Sequence, residues 1–379
     1  MKKIIIAIDS FKGCLTSKEA GEAAAKGIKS IDSSCKTLVI PIADGGEGLL
    51  DVLVTTTKGK YVSLSAHGPL MDMTETHYGI SGNGKTAIIE MAAISGLPLV
   101  PPDKRNPMLT TTFGTGELIK DALEKGCRDF IIGIGGSATN DAGLGMLQAL
   151  GFRFLDKSGH ISGTGGQIME TVANIDISNS HPALKEARFM VACDVNNPFY
   201  GPDGAAYIFA RQKGADNEMI QKLDMGMRSL AEVIKRTTGK DITNYPGAGA
   251  AGGMGGGLLA FLNAELKPGT ELLLEAIDFR EKIKGANLII TGEGKADRQT
   301  AMGKVPYGIL KEAQKEHILV IVLAGSIEDL PELNEAGFKG IFSIAPGPIT
   351  LEKAMEPESA KENITRLVSQ LCSVITNFD

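Results

Sequence analysis

The stretch DFIIGIGGSATNDAGLG, residues 129–145, runs from a short apolar strand through glycines into a segment of helical character. A strand, a glycine turn and a helix in this order form the first part of a β-α unit. Apolar strands recur elsewhere, several of them followed by glycine or another small residue, at residues 2–8, 37–42, 287–294, 318–326 and 339–347. The sequence therefore predicts an α/β protein.

The chain is long enough for two domains. Its 379 residues exceed the size that a single hydrophobic core fills. Three strand-like runs between residues 61 and 91 are joined by turn residues, which predicts an antiparallel meander that interrupts the β-α alternation. We predict a parallel-sheet domain built from both chain ends, residues 1–60 and 285–379, and an inserted α/β domain with a mixed sheet over residues 61–284.

Composition narrows the class of partner. The formal charge of −6 is spread without a run of like charges, so no basic stripe for nucleic acid or an anionic membrane is indicated. The five cysteines are scattered without a C-x-x-C pair, which predicts neither a disulfide framework nor a zinc site. The apolar run at residues 4–8 is too short for a signal peptide. We predict a cytoplasmic enzyme with a small-molecule partner, and the sequence leaves its oligomeric state open.

Two short segments match phosphate-binding sequence patterns, but neighbouring residues disfavour both matches. GISGNGKT, residues 79–86, matches a Walker A loop, but its Asn-Gly pair lies between two strand-like runs and predicts a surface hairpin. Gly133, Gly135 and Ala138 match a variant dinucleotide pattern, and Asp156 ends the next predicted strand. A carboxylate and polar side chains at residues 137–141 disfavour this second pattern, because a carboxylate competes with pyrophosphate.

Carboxylates and lysines follow many of the predicted strands. Since ligands of open α/β sheets bind at the carboxyl ends of strands, this repeated placement indicates a site, although each carboxylate alone equally fits a turn or a cap. Acidic ligands for a hard cation beside ammonium groups for phosphates are what transfer from Mg-ATP requires. These residues are Asp9, Lys12, Asp44, Glu47, Asp194, Lys213, Glu293, Lys295, Asp297 and Lys304. The histidines lie outside these clusters, which disfavours histidine-based catalysis.

The motifs together resemble those of the bacterial glycerate kinase family related to the glycerate 2-kinases. DSFKG, ADGGEG, GIGGSATNDAGLG, ACDVNNP, QKGA, PGAGAAGG and TGEGKADRQTAMGKVP occur in the family's order along essentially the whole chain. The resemblance implies transfer of the ATP γ-phosphate to D-glycerate with Mg²⁺, in the cytoplasm, during catabolism of glycerate, glyoxylate or sugar acids. It also implies a Rossmann-like domain, a second α/β domain and an active site in the interdomain cleft.

The chain departs from the family's pattern in two places. Ala210 and Arg211 stand before QKGA where the family has glycine and proline, and Lys295 stands where the family usually has arginine. A lysine keeps the positive charge but loses the bidentate fork of arginine, which disfavours Lys295 as a phosphate clamp. Neither departure removes a carboxylate from the clusters.

Individual roles follow from residue chemistry alone and form a hypothesis. Asp194 orients or deprotonates the attacking hydroxyl, Lys12 neutralises charge on the phosphoryl oxygens, and Asp141 is the alternative catalytic carboxylate. The glycine turn presents N–H groups at a helix N-terminus. Residues predicted to contact substrate or phosphate are Asp9, Ser10, Gly135, Gly136, Ser137, Asn140, Lys213 and Lys304. Predicted magnesium ligands are Asp44, Glu47, Glu293 and Asp297.

Two other functions remain open from the sequence. An NAD-dependent hydroxy-acid dehydrogenase would use the glycines at 133 and 135 with Asp156, and a non-catalytic regulator would bind a sugar acid without turnover. Several carboxylates beside lysines exceed what a binder of a small hydroxy acid needs, which favours an enzyme. The two hydroxyls of glycerate sit on adjacent carbons, so the sequence does not decide between 2-phosphoglycerate and 3-phosphoglycerate.

Overall fold

The computed structural model describes residues 3–43, 48–160, 163–328 and 330–376. The chain divides into two compact units, residues 1–44 with 273–379, and residues 45–272. In both units strands alternate with helices, as the α/β pattern of the sequence predicts. None of the helices in the described ranges is both long and apolar enough to cross a membrane.

The first unit contains a parallel sheet made from both ends of the chain. Strands and helices are numbered in chain order over both units. The strands here are β1 (Lys3–Ile8), β2 (Lys36–Val39), β11 (Leu288–Ala296), β12 (Leu319–Ile327) and β13 (Gly340–Ser343). They lie in the order β2–β1–β11–β12–β13, and each neighbouring pair is parallel. This confirms the predicted parallel sheet.

Helices cover the apolar strands of the first unit. They are α1 (Ser17–Ile31), α10 (Phe279–Ile283), α11 (Val305–Lys315), α12 (Leu330–Ala336), α13 (Leu351–Ala354) and α14 (Pro357–Thr376), with α9 (Gly269–Ala276) running across the unit boundary. Every residue of β1 from Ile4 to Ile8 is buried, which is why this strand is a continuous apolar run rather than an alternating one. Gly27 lets α1 approach α14, because a Cβ there would lie 2.5 Å from Thr365 O.

The order of the first sheet creates a switch point between β1 and β11. The chain winds outward from these neighbours in opposite directions, which opens a crevice at their carboxyl ends in doubly wound sheets. Asp9 directly follows β1, and Glu293 lies near the carboxyl end of β11. The topology therefore brings two of the predicted site carboxylates to the position where such sheets bind ligands.

The second unit contains the predicted mixed sheet. Its strands are β3 (Lys60–His67), β4 (Met73–Ile80), β5 (Thr86–Glu90), β6 (Asp129–Gly133), β9 (Arg188–Ala192) and β10 (Glu265–Lys267), with β7 (Arg153–Leu155) and β8 (Asn174–Asp176) in a separate two-stranded sheet. β3, β4 and β5 form the antiparallel meander, and β5, β6, β9 and β10 continue it as parallel neighbours. Its helices are α2 (Leu49–Thr56), α3 (Ala92–Ser95), α4 (Phe113–Glu124), α5 (Leu144–Ala149), α6 (Ala205–Phe209), α7 (Asn217–Thr238) and α8 (Ala250–Leu262).

The unit boundaries differ from the predicted ones at residues 60 and 285, since they fall at 44/45 and 272/273. α2 belongs to the second unit because its apolar face packs on β4 and β5. Gly79 of β4 is close enough to α2 that a Cβ would come 2.4 Å from Val54 Cγ2. α10 belongs to the first unit, where it packs against α11. Burial of apolar faces, which the local pattern does not specify, places both helices.

The Walker-like segment at residues 79–86 forms the predicted hairpin. It joins β4 to β5, and Asn83 Oδ1 accepts hydrogen bonds from Lys85 N at 2.8 Å and Thr86 N at 3.1 Å. Gly84 has a positive φ of 71°, and residues 82–85 are exposed. A phosphate-binding loop would open a helix, whereas this one returns directly into a strand.

Replacing Lys85 by alanine should leave catalysis unchanged. The side chain is exposed on the hairpin, and exposed substitutions usually change stability by less than about 0.5 kcal/mol. We expect kcat and the KM for the nucleotide to stay within about threefold of the parent. Steady-state kinetics measures both constants. A fall of about a hundredfold in the kcat of Lys85→Ala would mean that the hairpin is a nucleotide site.

Candidate active site

Three parallel strands of the second unit end at the same level of their sheet. Glu90 of β5 pairs with Gly133 of β6, which pairs in turn with Ala192 of β9. The loops after β6 and β9 therefore leave the sheet side by side. Together with residues of the turn Arg211–Lys213 they line a cavity of about 300 Å³. A cavity at the carboxyl ends of parallel strands is the default ligand site of such a sheet.

The loop after β6 brings only its first residues to the cavity. Gly135 and Gly136 are exposed and line the cavity together with Ser137. Asn140 is fully buried, and its Nδ2 lies 3.4 Å from Met227 Sδ rather than on the cavity wall. α5 begins only at Leu144, so the glycines do not adjoin a helix N-terminus as predicted. The structure therefore places residues 135–137 at the cavity and Asn140 away from it, and the binding roles stay predictions.

Asp141 holds this loop in shape. Its side chain is 0% exposed, and its Oδ2 accepts hydrogen bonds from Thr112 N at 2.8 Å, Thr112 Oγ1 at 2.9 Å and Gly145 N at 3.2 Å. Its Oδ1 accepts from Gly143 N at 3.1 Å. Burial raises the pKa of Asp141, and the bonds from Thr112, Gly145 and Gly143 oppose that rise. The geometry does not support Asp141 as a catalytic carboxylate, because both oxygens are engaged by the loop's own donors.

The glycine-dense segment at residues 246–257 packs against the loop that follows β6. Inside α8, Ala251, Gly252 and Gly253 take left-handed conformations with φ of 52°, 66° and 88°. Gly252 O accepts from Ala142 N at 3.0 Å, and a Cβ at Gly252 would lie 2.1 Å from Thr139 O. Only glycine therefore fits at 252. The segment also reaches the cavity wall through its residues at 250 and 251.

Lys213 is a buried cation on the cavity wall. It is 2% exposed, and its Nζ donates to Ser137 Oγ at 2.7 Å and to Thr139 O at 2.6 Å. Burial lowers the pKa of Lys213 to about 7, and the charge of Asp141 opposes that shift. The structure thus ties Lys213 to the glycine loop and keeps it at the cavity, and its binding role stays a prediction.

Asp194 supplies a carboxylate among the described residues that line this cavity. It follows β9 directly, is exposed, and lines the cavity beside Cys193. Its Oδ1 accepts a hydrogen bond from Gly269 N at 2.8 Å, at the first residue of α9. Asp194 therefore caps α9 and also presents a carboxylate to the cavity. Substitution by asparagine removes the charge but keeps the oxygen that caps the helix.

A second cluster lies in the first unit, on the β11 side of its switch point. Glu293 is 7% exposed, accepts from Thr300 Oγ1 at 2.5 Å, and lies 3.4 Å from Lys304 Nζ through its Oε2. The same ammonium is 3.8 Å from Asp297 Oδ1. Burial raises the pKa of Glu293, while Thr300 and Lys304 oppose the rise and the charge of Asp9 adds to it. Three predicted site residues therefore meet here, and Thr300 joins them.

The predicted residues after β1 lie on one short loop. Asp9 is buried, and its Oδ1 accepts from Ser10 N at 2.6 Å. Lys12 is exposed at the tip of the loop, which closes through hydrogen bonds between Phe11 and Leu15. Lys295, which the sequence disfavours as a phosphate clamp, pairs with Glu328 at 3.0 Å.

The predicted magnesium ligands do not assemble into a metal site within the described part of the chain. Asp44 and Glu47 lie outside the described residues. Glu293 and Asp297 share the ammonium of Lys304, which occupies the place that a cation would take between them. In residues 3–43, 48–160, 163–328 and 330–376 no three histidine, cysteine or acidic residues lie close enough to hold a metal ion.

Two further residues, Thr300 and Thr112, contact site residues with which the sequence alone does not pair them. Thr300 is seven positions from Glu293 and reaches it only because the chain turns after β11. Thr112 reaches Asp141 from the start of α4. Thr300 belongs to the motif TGEGKADRQT, so its place in the sequence already indicated it. Nothing in the local pattern indicates Thr112.

The dinucleotide alternative fails on topology. It required the strand that ends at Asp156 to follow β6 in one sheet, but β7 pairs with β8 in a separate antiparallel pair. The Asp156 carboxylate accepts from Ser158 N at 2.7 Å and His160 N at 3.0 Å, so it stabilises its own turn. A ribose-binding carboxylate would lie beside the glycine loop in the same sheet.

Comparison with known proteins gives consistent matches over the whole chain. A model of the Glycerate kinase family matches residues 4–376. A glycerate kinase of Bacillus subtilis (strain 168) is 48% identical over 355 residues, which is 93% of each chain. A glycerate 2-kinase of Escherichia coli (strain K12) is 46% identical over 374 residues, which is 98% of each chain. The crystal structure of a protein described as glycerate kinase 2 from Salmonella typhimurium LT2 has a TM-score of 0.91 and 42% identity, and covers 99% of this chain and 98% of its own.

Proposed function

Because this chain belongs to the glycerate kinase family, we propose that it transfers the γ-phosphate of ATP to a hydroxyl group of D-glycerate. The observation that carries the proposal is the cavity of the second unit. Among the described residues that line it are a carboxylate, Asp194, and a buried cation, Lys213, at the end of a parallel sheet. A hydroxy acid requires one group to orient its hydroxyl and one to match its charge, and this cavity has both.

In the proposed reaction Asp194 accepts a hydrogen bond from the attacking hydroxyl and takes its proton as the oxygen attacks the γ-phosphorus. The bond from that phosphorus to the oxygen bridging the β- and γ-phosphates breaks, and ADP leaves. Phosphoryl transfer needs little covalent help from the protein, so positioning and charge neutralisation supply most of the rate enhancement. Gly135, Gly136 and Ser137 would direct backbone N–H groups at negatively charged oxygens. Lys12 and Lys304 stay predicted contacts of the phosphates.

Magnesium stays a prediction of the family's chemistry. Mg²⁺ prefers octahedral oxygen ligands and in kinases is held by one or two carboxylates together with phosphate oxygens and water. Glu293 and Asp297 do not fit such a site while Lys304 lies between them. The roles proposed for Asp194, Lys213 and the glycine loop therefore do not depend on a bound Mg²⁺. Titration of the rate with Mg²⁺ at fixed ATP would test the requirement directly.

We propose 2-phosphoglycerate as the product, supported by the name of the Escherichia coli relative. A place in the catabolism of glycerate, glyoxylate or sugar acids, in the cytoplasm, belongs to the same proposal. Phosphorus NMR of the product distinguishes a phosphate on O2 from one on O3. A signal from 3-phosphoglycerate alone would contradict the regiochemistry but leave the kinase activity intact.

The activity itself is tested by measuring ADP release from ATP with and without D-glycerate. We expect ADP release only when both are present, with one phosphoglycerate formed per ADP. ATP use that ignores glycerate would contradict the proposed acceptor, and binding of glycerate without turnover would favour the non-catalytic regulator. The Lys85→Ala variant is a suitable control, because its hairpin is exposed.

A further inference from the structure

Lys213 lies in surroundings that leave its charge incompletely matched. An ammonium has three N–H donors. Ser137 Oγ and Thr139 O accept two of them, and both acceptors are neutral. Among the described residues, no carboxylate oxygen lies within hydrogen-bonding distance of Nζ, and Asp141 acts on it only through its charge. A buried cation is costly without an anion in contact, so the site is built to receive one.

The cavity indicates which anion this is. Lys213 is 2% exposed and offers a single positive charge on the cavity wall. A carboxylate carries one negative charge and would be neutralised by that lysine, whereas the phosphates of ATP carry several charges and need several cations. Asp194 on the same wall serves the reaction only if the acceptor hydroxyl enters this cavity. Glycerate has its carboxylate one or two bonds from its hydroxyl carbons, so both of its ends fit one small site.

We propose that Lys213 binds the carboxylate of the acceptor substrate and takes up a proton from solvent as that substrate enters. This inference rests on the proposed function and deepens it. Lys213 would then be the residue that makes the enzyme select a hydroxy acid over an uncharged polyol. Ser137 and Thr139 position its ammonium, which explains why the glycine loop and the turn Arg211–Lys213 are tied together.

The direction of the pH dependence follows from linkage. The pKa of Lys213 without ligand is lowered to about 7 by burial. An anion in contact raises it, so substrate and proton favour each other's binding. Below pH 7 the lysine is already charged and glycerate affinity should be flat. Above pH 7 each unit of pH should weaken apparent glycerate binding by about tenfold, until the pKa of the complex is reached.

Other titratable groups lie near Lys213. Asp141 faces it from the loop after β6, and Cys193 and Asp194 line the cavity from the loop after β9. Burial raises the pKa of Cys193 further from neutrality and that of Asp141 upward from its usual acidic range. Arg211 on the same turn donates a hydrogen bond to Asn217. If the loss of glycerate affinity above pH 7 disappears when Lys213 is substituted, Lys213 is the group whose titration causes it.

The first experiment uses the unmodified enzyme. kcat/KM for D-glycerate is measured from pH 6 to 9 at saturating ATP, and the KM for ATP is measured at saturating glycerate over the same range. We expect kcat/KM for glycerate to fall by about tenfold per pH unit above pH 7, while the KM for ATP stays within about threefold. If the KM for ATP rises about tenfold per pH unit above pH 7 instead, the proposal is overturned and the lysine is assigned to a phosphate. A flat profile for glycerate would overturn it as well.

The second experiment uses Lys213→Met and Lys213→Arg, with Arg211→Met as control. Methionine keeps the apolar stem without the charge and should lower kcat/KM for glycerate by about 10- to 100-fold at pH 7 and remove the alkaline decline. Arginine stays charged and should also remove that decline. Arg211→Met changes an exposed cation on the same turn and should retain the decline of the parent. A decline that persists in both Lys213 variants would contradict the assignment.

Inhibition by matched analogues separates this inference from the function on which it rests. D-glycerate and uncharged glyceramide share the same hydroxyls, so their affinity ratio measures recognition of the carboxylate. The ratio should fall by about 10-fold or more in Lys213→Met. An enzyme that phosphorylates glycerate but keeps this ratio in Lys213→Met would contradict only the inference. An enzyme that never phosphorylates glycerate would contradict the proposed function.

Discussion

Asp194→Asn should lower kcat by roughly 10²–10⁴-fold, the range typical of general acid–base groups. Asparagine keeps the shape of the side chain but loses its negative charge and its ability to take a proton. Its Oδ1 can still accept from Gly269 N, so the cap on α9 should survive. We therefore expect the thermal midpoint and the affinity for ATP to stay near those of the parent while the chemical step fails. Steady-state kinetics and thermal melting measure the two effects.

Asp194→Ala is the matched comparison, because it removes the cap together with the charge. Loss of a helix cap costs about 1 kcal/mol, so this variant should melt earlier than Asp194→Asn at a similar kcat. Activity within a few-fold of the parent in Asp194→Asn would show that the residue only caps the helix. Partial recovery of the asparagine variant by extra Mg²⁺ would instead assign Asp194 to the metal.

Asp141→Ala should destabilise the second unit by about 3 kcal/mol or more. The substitution leaves the buried N–H groups of Thr112, Gly143 and Gly145 without their acceptor, and each unsatisfied buried donor costs about 1–3 kcal/mol. The loop carrying the cavity glycines should lose its shape at the same time. Urea unfolding followed by circular dichroism is the suitable measurement, since the chain has no tryptophan.

Asp156→Ala is the control for Asp141, since its carboxylate accepts backbone N–H groups in an exposed turn of the same unit. We expect it to cost about 1 kcal/mol or less. It should also leave ATP affinity unchanged, because no ribose contact is expected there. Equal losses in the two aspartate variants would refute the structural role given to Asp141.

Much of the local structure could be predicted because it depends on neighbouring residues. The apolar run of β1, the alternation in β3 and β4 and the Asn-Gly hairpin at residues 79–86 are all present as expected. Period and turn chemistry act over a few residues, so a sequence pattern contains them. The mixed architecture followed from the order of these patterns along the chain.

The candidate site was predictable as a set of motifs but not as a set of contacts. Asp194 and Lys213 were both among the predicted residues, and both line the cavity. Asn140 and Asp141 belong to the same motif as Gly135, yet they point into the protein. A motif shows that a segment matters, but the path of its backbone decides which side chains face a ligand.

The sequence by itself determined the secondary structure, the interrupted β-α order and the chemical groups available for catalysis. Only the tertiary structure decided that Asp194 lies at the cavity while Asp141 accepts hydrogen bonds from its own loop. The burial of Lys213 also depends on the tertiary structure. The physical reason is that burial and hydrogen bonding between distant segments set each group's role and its pKa. Thr139 and Ser137 meet Lys213 across more than seventy residues of chain, and no local pattern contains that contact.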